Sequence, residues 1–391
     1  MAFSLATVIL LGLIFKWLFE KINLPGILGM LILGMLIGQY ALDWLSPELM
    51  NVSSDLRKIA LIIILLRAGL GISKNTLKKV GKPAIKLSFI PNLLEGFAIT
   101  FSSMWLFKLS FIEGGILGFI IAAVSPAVVV PSMLKLMEKG KGEKKAIPTM
   151  ILAGASVDDV VAITLFSTFL GLYGSKNINI PIKLLEIPLS IGLGIGIGII
   201  FGFLLVKIFE KYHLRDTKKV LYILAISIFL TTLEDVLSPY IQIASLLGVM
   251  TIGFIILEKR QEVAHRLARK FEKIWVLAEI LLFVLVGAQV NLEVALDSGL
   301  KGLLLIAIGL TFRSIGVLIS LKNSELNKKE KIFSIVGYIP KATVQAAIGA
   351  VPLAAGVASG NLILALAVLS ILFTAPLGAF GIEIFGDKLL D

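Results

Sequence analysis

Apolar stretches of roughly 20 residues follow one another along nearly the whole chain, with only short polar links between them. That succession constrains the fold more than any motif does. A bilayer's hydrocarbon core is about 30 Å thick, and a helix rising about 1.5 Å per residue crosses it in about 20 residues. Of the 391 residues, 57% are hydrophobic and the mean hydropathy is +0.97. A water-soluble domain of that composition would expose far too much apolar surface. The expected fold is an all-α polytopic membrane protein with about thirteen transmembrane helices. They are placed near 2–20, 24–42, 56–72, 84–107, 112–134, 146–174, 181–206, 219–237, 240–258, 273–290, 302–320, 332–354 and 361–384.

The first stretch lacks a basic leader region and a small-residue cleavage site, so it reads as a span and not a signal peptide. No large polar domain is expected after the last span. Cysteine is absent, which removes disulfides and thiolate metal sites. The net charge of +11 would suit nucleic acid if the basic residues formed a face. Instead they crowd alternate loops: Lys74 to Lys86, Lys135 to Lys145, Lys207 to Lys219, Lys259 to Lys273 and Lys322 to Lys331. The loops between carry little beyond Lys108, Lys176, Lys183 and Lys301, with Arg57 and Lys58 at the start of the third span. Basic loops stay in the cytoplasm. The pattern therefore places the chain in the cell membrane with its N-terminus outside and its C-terminus cytoplasmic. It argues for a lipid bilayer as partner and against nucleic acid.

Charges inside the spans are the next constraint. Asp158 and Asp159 stand side by side in an otherwise apolar stretch from Ile147 to Phe166. A carboxylate at the bilayer centre costs roughly 2.5–3.5 kcal/mol on insertion scales. A pair is tolerated when a cation, a proton or a fixed positive side chain offsets that cost. Arg67, Glu95, Arg313 and Lys341 fall at similar depth, roughly 14–20 Å from their membrane faces. These three cations and three anions form a balanced set. Neighbours on a helix point about 100° apart. One aspartate is thus expected to hold a fixed cation such as Lys341 while the other faces a water-filled cavity. The plainer reading, interhelical ties without transport, fits Arg67 best and suits Glu95 and Arg313 as well as a functional one. Glu234 and Asp235 read as interfacial. His213 and His265 fall in loops, so proton chemistry at depth is left to carboxylates or lysine.

Two spans carry proline in their middles. Pro126 and Pro131 follow Ser125 in the fifth, and Pro340 precedes Lys341 in the twelfth. Proline removes a main-chain donor, and broken helices at corresponding positions of two halves point to a transporter binding site. The breaks lie seven spans apart, as do Glu95 and Arg313. An odd offset reverses direction through the membrane. Spans one to six and eight to thirteen therefore read as inverted repeats with two crossed, interrupted helices. Gly194, Gly198 and Gly202 recur every four residues in the seventh span, with Gly192 and Gly196 offset, which suggests close packing within the chain or between two copies.

The strings Ser125-Pro-Ala-Val-Val-Val-Pro-Ser132, Asp158-Asp-Val-Val-Ala-Ile-Thr164 and Pro340-Lys-Ala-Thr-Val-Gln-Ala-Ala347 resemble the NHA branch of the cation:proton antiporter superfamily. Arg67-Ala-Gly-Leu-Gly71 and Leu94-Glu95 fit the same branch. The resemblance implies a homodimeric secondary transporter, not an enzyme, that exchanges Na+ or Li+ for H+ by an elevator motion and needs no cofactor. It implies an ion-carrying core near 56–174 and 302–384 and a dimerisation scaffold near 1–45 and 181–290. Asp159 would be the main Na+ ligand and Asp158 its proton-linked neighbour, with Ser125 lending an oxygen. Lys341 would pair with the aspartates when no Na+ is bound, and Glu95 with Arg313. Electrogenic relatives carry lysine where Arg313 falls. Arginine does not titrate, so at that place it carries no proton.

Rival readings remain. A K+/H+ antiporter shares every feature above. A sodium-coupled organic anion symporter needs a roomier polar centre than this chain, with few midplane amides beyond Gln345, provides. A channel would show a repeated filter sequence. An intramembrane aspartyl protease places its two aspartates on separate helices, in settings absent here.

Overall fold

The computed structural model describes residues 1–71, 74–173, 180–212, 214–237, 241 and 243–391. Lys176 and His213 lie outside them, and so do the side chains of Lys78, Lys79, Ser156, Lys183 and Asp235. Every regular element among the described residues is helical. In chain order these are α1 (Ala2–Lys21), α2 (Gly26–Ile37), α3 (Pro47–Asn51), α4 (Ser53–Gly71), α5 (Lys74–Phe107), α6 (Phe111–Ala122), α7 (Pro126–Glu138), α8 (Ile147–Leu172) and α9 (Ile180–Lys211). They continue with α10 (Asp216–Leu237), α11 (Ser245–Lys259), α12 (Gln261–Gly287), α13 (Leu292–Asp297), α14 (Gly299–Ser320), α15 (Lys328–Gly337), α16 (Thr343–Ile348), α17 (Val351–Ala354) and α18 (Gly360–Leu389). Among the described residues seven stretches are long and apolar enough to cross a bilayer: Ala2–Lys21, Gly81–Phe107, Phe111–Glu138, Ile147–Leu172, Leu189–Lys211, Gly299–Ser320 and Gly360–Leu389. The fold is that of an all-α, multi-pass membrane protein.

The chain divides into two compact units. One comprises Met1–Arg57, Val80–Tyr173 and Ile280–Asp391, and the other Lys58–Lys79 and Gly174–Glu279. The scaffold expected at 1–45 and 181–290 is thus shared between them. Residues 1–57 and 280–290 fall in the unit that holds the acid pair, and within it α2 seats Gly34 and Gly38 directly on the main chain of Val284 and Ala288. Only the absence of a Cβ permits that approach. In the second unit Gly194 and Gly198 of α9 lie against the main chain of Ala244 and Gly248, and Gly202 lies against Ile255. Gly192 and Gly196 face open space. The four-residue glycine register therefore packs α9 onto α11 within one chain.

Both interrupted spans begin with the same device. Ser110 Oγ accepts from the Glu113 N–H at 3.2 Å while Glu113 accepts from the Ser110 N–H at 3.1 Å. Asn327 and Glu330 repeat this reciprocal cap at the start of α15, at 2.9 and 2.6 Å. Each helix then stops inside the unit. α6 ends at Ala122 and the chain runs extended through Ala123 (ψ 139°) and Ser125 (ψ 113°). The residue before a proline avoids helical geometry, so Pro126 enforces the break and opens α7 at its first position. Pro131 does not break the chain, contrary to expectation: it sits within α7. It removes a single helical donor, and its fixed φ is compatible with the helix around it. α15 ends at Gly337, and Pro340 lies in the non-helical stretch before α16. The two breaks meet where the Ser125 N–H donates to the Pro340 carbonyl at 2.8 Å.

Candidate functional site

Where the interrupted helices meet, five of the six predicted midplane charges come together: Glu95 from α5, Asp158 and Asp159 from α8, Arg313 from α14 and Lys341 from the second break. All five are buried, none more than 6% exposed. Arg67 belongs to the second unit, where its guanidinium lies 5.9 Å from the Trp275 ring centroid. The set is therefore not balanced. Three carboxylates face two cations.

Arg313 organises the cluster. Its Nη1 donates to Glu95 Oε2 at 2.6 Å and also to the Ala122 carbonyl, its Nε to the Tyr338 carbonyl at 2.7 Å, and its Nη2 to both oxygens of Asp158 at 3.2 Å. The Tyr338 ring lies 5.2 Å from the guanidinium carbon. A planar five-donor fork can serve two carboxylates and two carbonyls at once, which a lysine ammonium cannot. Lys341 Nζ donates to Glu95 Oε2 at 2.6 Å and to the Ala122 carbonyl at 3.4 Å. The expected partner of Lys341 was an aspartate; it holds Glu95 instead. Arg313 already occupies both oxygens of Asp158, while Glu95 presents the same oxygen to both cations.

The two aspartates differ in what is left to them. Asp158 accepts from Arg313 and, through Oδ2, from the Val124 N–H at 2.9 Å, so its carboxylate fastens α8 to the first break. Asp159 has an Oδ1 that is buried and has no donor among the described residues. That difference follows from the turn of about 100° between successive helical residues.

The carbonyls at the end of α6 would present partial negative charge to the site. They are covered. Gln345 Nε2 lies 3.0, 3.2 and 2.9 Å from the carbonyls of Ile120, Ile121 and Ala123, and Arg313 and Lys341 take Ala122. Ser125 is buried, with Oγ 3.4 Å from Thr343 Oγ1 and 3.4 Å from the Thr343 N–H. The Lys341 N–H is held by Thr374 Oγ1 at 2.9 Å. Outside the cluster, Glu234 accepts from Ser245 and His265 is exposed on α12.

Sequence reasoning missed Asn92, Tyr338 and Thr374. Asn92 was detectable, since it stands three residues before Glu95 and shares its helical face. The role of Tyr338 rests partly on its main-chain carbonyl, for which a sequence carries no signal.

Comparison with known proteins agrees with this architecture. The family model described as sodium/hydrogen exchanger, transmembrane, matches residues 6–387. Sodium/hydrogen exchanger 9B2 of Mus musculus is 35% identical over 389 residues, covering 94% of this chain and 69% of that protein. The Homo sapiens protein of the same name is 34% identical over 382 residues, covering 94% and 70%. The sodium proton antiporter MjNhaP1 from Methanocaldococcus jannaschii superposes with a TM-score of 0.85 over 98% of this chain and 97% of that one, at 21% identity, and so shares the fold. This chain thus belongs to the transmembrane sodium/hydrogen exchanger family, as a multi-pass membrane protein that exchanges a cation for protons and is not an enzyme.

Proposed function

We propose that the transported cation is Na+, with Li+ as a substitute, and that one cation is exchanged for one proton at Asp159. The observation that carries this reading is the buried Asp159 Oδ1 without a donor among the described residues, in a cluster with one more carboxylate than cation. An unneutralised carboxylate in a dry interior is costly. A monovalent cation or a proton removes the deficit equally well, and the two exclude each other. Asp158, held by Arg313 and Val124, lies beside the ion and helps fix its place. A net negative centre repels an organic anion, which counts against a symporter of such substrates.

Movement follows the elevator scheme. All five charged groups lie within one compact unit, so they can travel together, and the occupied, neutral cluster crosses the low-dielectric region at lower cost than the empty one. Basic loops place the N-terminus outside and the C-terminus in the cytoplasm.

Asp159→Asn tests the assignment. Purified variant in proteoliposomes should fold and yet show no Na+-driven proton movement. Wild-type rates in that variant would sink the proposal, and K+ driving the wild type as well as Na+ would assign the protein to K+/H+ exchange.

A further inference from the structure

Asn92 is a buried polar side chain beside the charge cluster. It is fully buried on α5, directly after Pro91 and one turn before Glu95. Its Nδ2 donates to the main-chain carbonyl of Asp158 at 3.2 Å. The opposite amide orientation would set two acceptors against each other, so the contact fixes which end points where. Its Oδ1 is then left buried with no donor among the described residues, as is Asp159 Oδ1. Each such oxygen is destabilising when nothing satisfies it. Two acceptors cannot satisfy one another. A hard cation, which takes oxygen ligands, satisfies both.

The placement is built in. Asn92 and Glu95 project from one face of α5. Glu95 reaches the Asp158 carboxylate through Arg313, and Asn92 takes the Asp158 carbonyl, so residue 158 is gripped at both its side chain and its backbone. Asp159 is the next residue. A carbonyl-type oxygen anchored there has little freedom to follow a larger ion.

We propose that Asn92 is a specificity-determining residue whose Oδ1 is a neutral ligand to the monovalent cation carried by Asp159, its anchored position favouring small ions. This rests on the assignment of the exchange site to Asp159.

The test is exchange kinetics of the full-length protein in vesicles, with Na+, Li+ and K+ as probes. Asn92→Ala should raise the KM for Na+ about tenfold, hold kcat within about threefold and narrow the preference for Na+ over K+. Asn92→Leu, of similar volume, replaces it if the alanine variant does not fold. A KM rise above about fivefold with kcat held supports the proposal. A smaller rise, or a loss confined to kcat, overturns it by reducing Asn92 to a structural tie. The failures are distinguishable. If Asp159→Asn exchanges at wild-type rates, the Asp159 assignment fails; if that variant is inactive and the Asn92 variant's KM for Na+ is unchanged, only the role of Asn92 fails.

Discussion

Arg313 does what no other side chain in the cluster can. Its guanidinium binds Glu95, Asp158 and two main-chain carbonyls from different elements, with the Tyr338 ring nearby. Removing one partner of a buried charge pair typically costs about 3–5 kcal/mol, because the other is stranded. Arg313→Gln takes the only cation from Asp158, leaving it the Val124 N–H, and leaves Glu95 to Lys341 alone. We expect a loss of stability in that range, read as a drop in the thermal unfolding midpoint in detergent. Arg313→Lys should recover only part of it, since a single ammonium cannot span both carboxylates. Full recovery would mean that charge alone matters and the fork does not.

At the scale of elements, the interrupted helices are held by side chains that cover their exposed ends. Gln345 of α16 covers the carbonyls of Ile120 and Ile121 at the end of α6 and that of Ala123 just beyond it. Gln345→Leu keeps similar bulk and removes the donors, which should destabilise by about 1–3 kcal/mol per carbonyl left without a partner. Thermal unfolding checks this, and an unchanged midpoint would mean that water or lipid replaces the amide. The breaks themselves were legible in the sequence because proline acts locally: Ser125-Pro126 must leave helical geometry wherever it is placed. Pro131 shows the limit of that signal, since a proline in a helix is tolerated when one missing donor is all it costs. The pairing of Lys341 with Glu95 was not legible. It depends on which carboxylate Arg313 occupies first, and that is a matter of three-dimensional packing between α5, α8 and α14.

For the whole molecule, hydropathy and loop charge were enough to read an all-helical, multi-pass fold, since the bilayer leaves few alternatives. Grouping the helices was harder. Residues 1–57 fall in the unit of the acid pair, Gly34 and Gly38 lie on the main chain of Val284 and Ala288, and small residues in an apolar span do not announce their partner. The orientation proposed from the basic loops is testable on a chain with no cysteine of its own. Lys301→Cys and Lys144→Cys each place one thiol at an exposed position. In intact cells an impermeant maleimide should label the first and not the second; the reverse pattern would invert the topology. The same scale holds the central claim, that the cluster's single surplus negative charge is filled by one cation or one proton in turn. The direct measurement is Na+-driven proton flux in proteoliposomes at a series of clamped membrane potentials. One-for-one exchange predicts a rate with no dependence on potential and no net current. A current that accompanies exchange and reverses with voltage would contradict it.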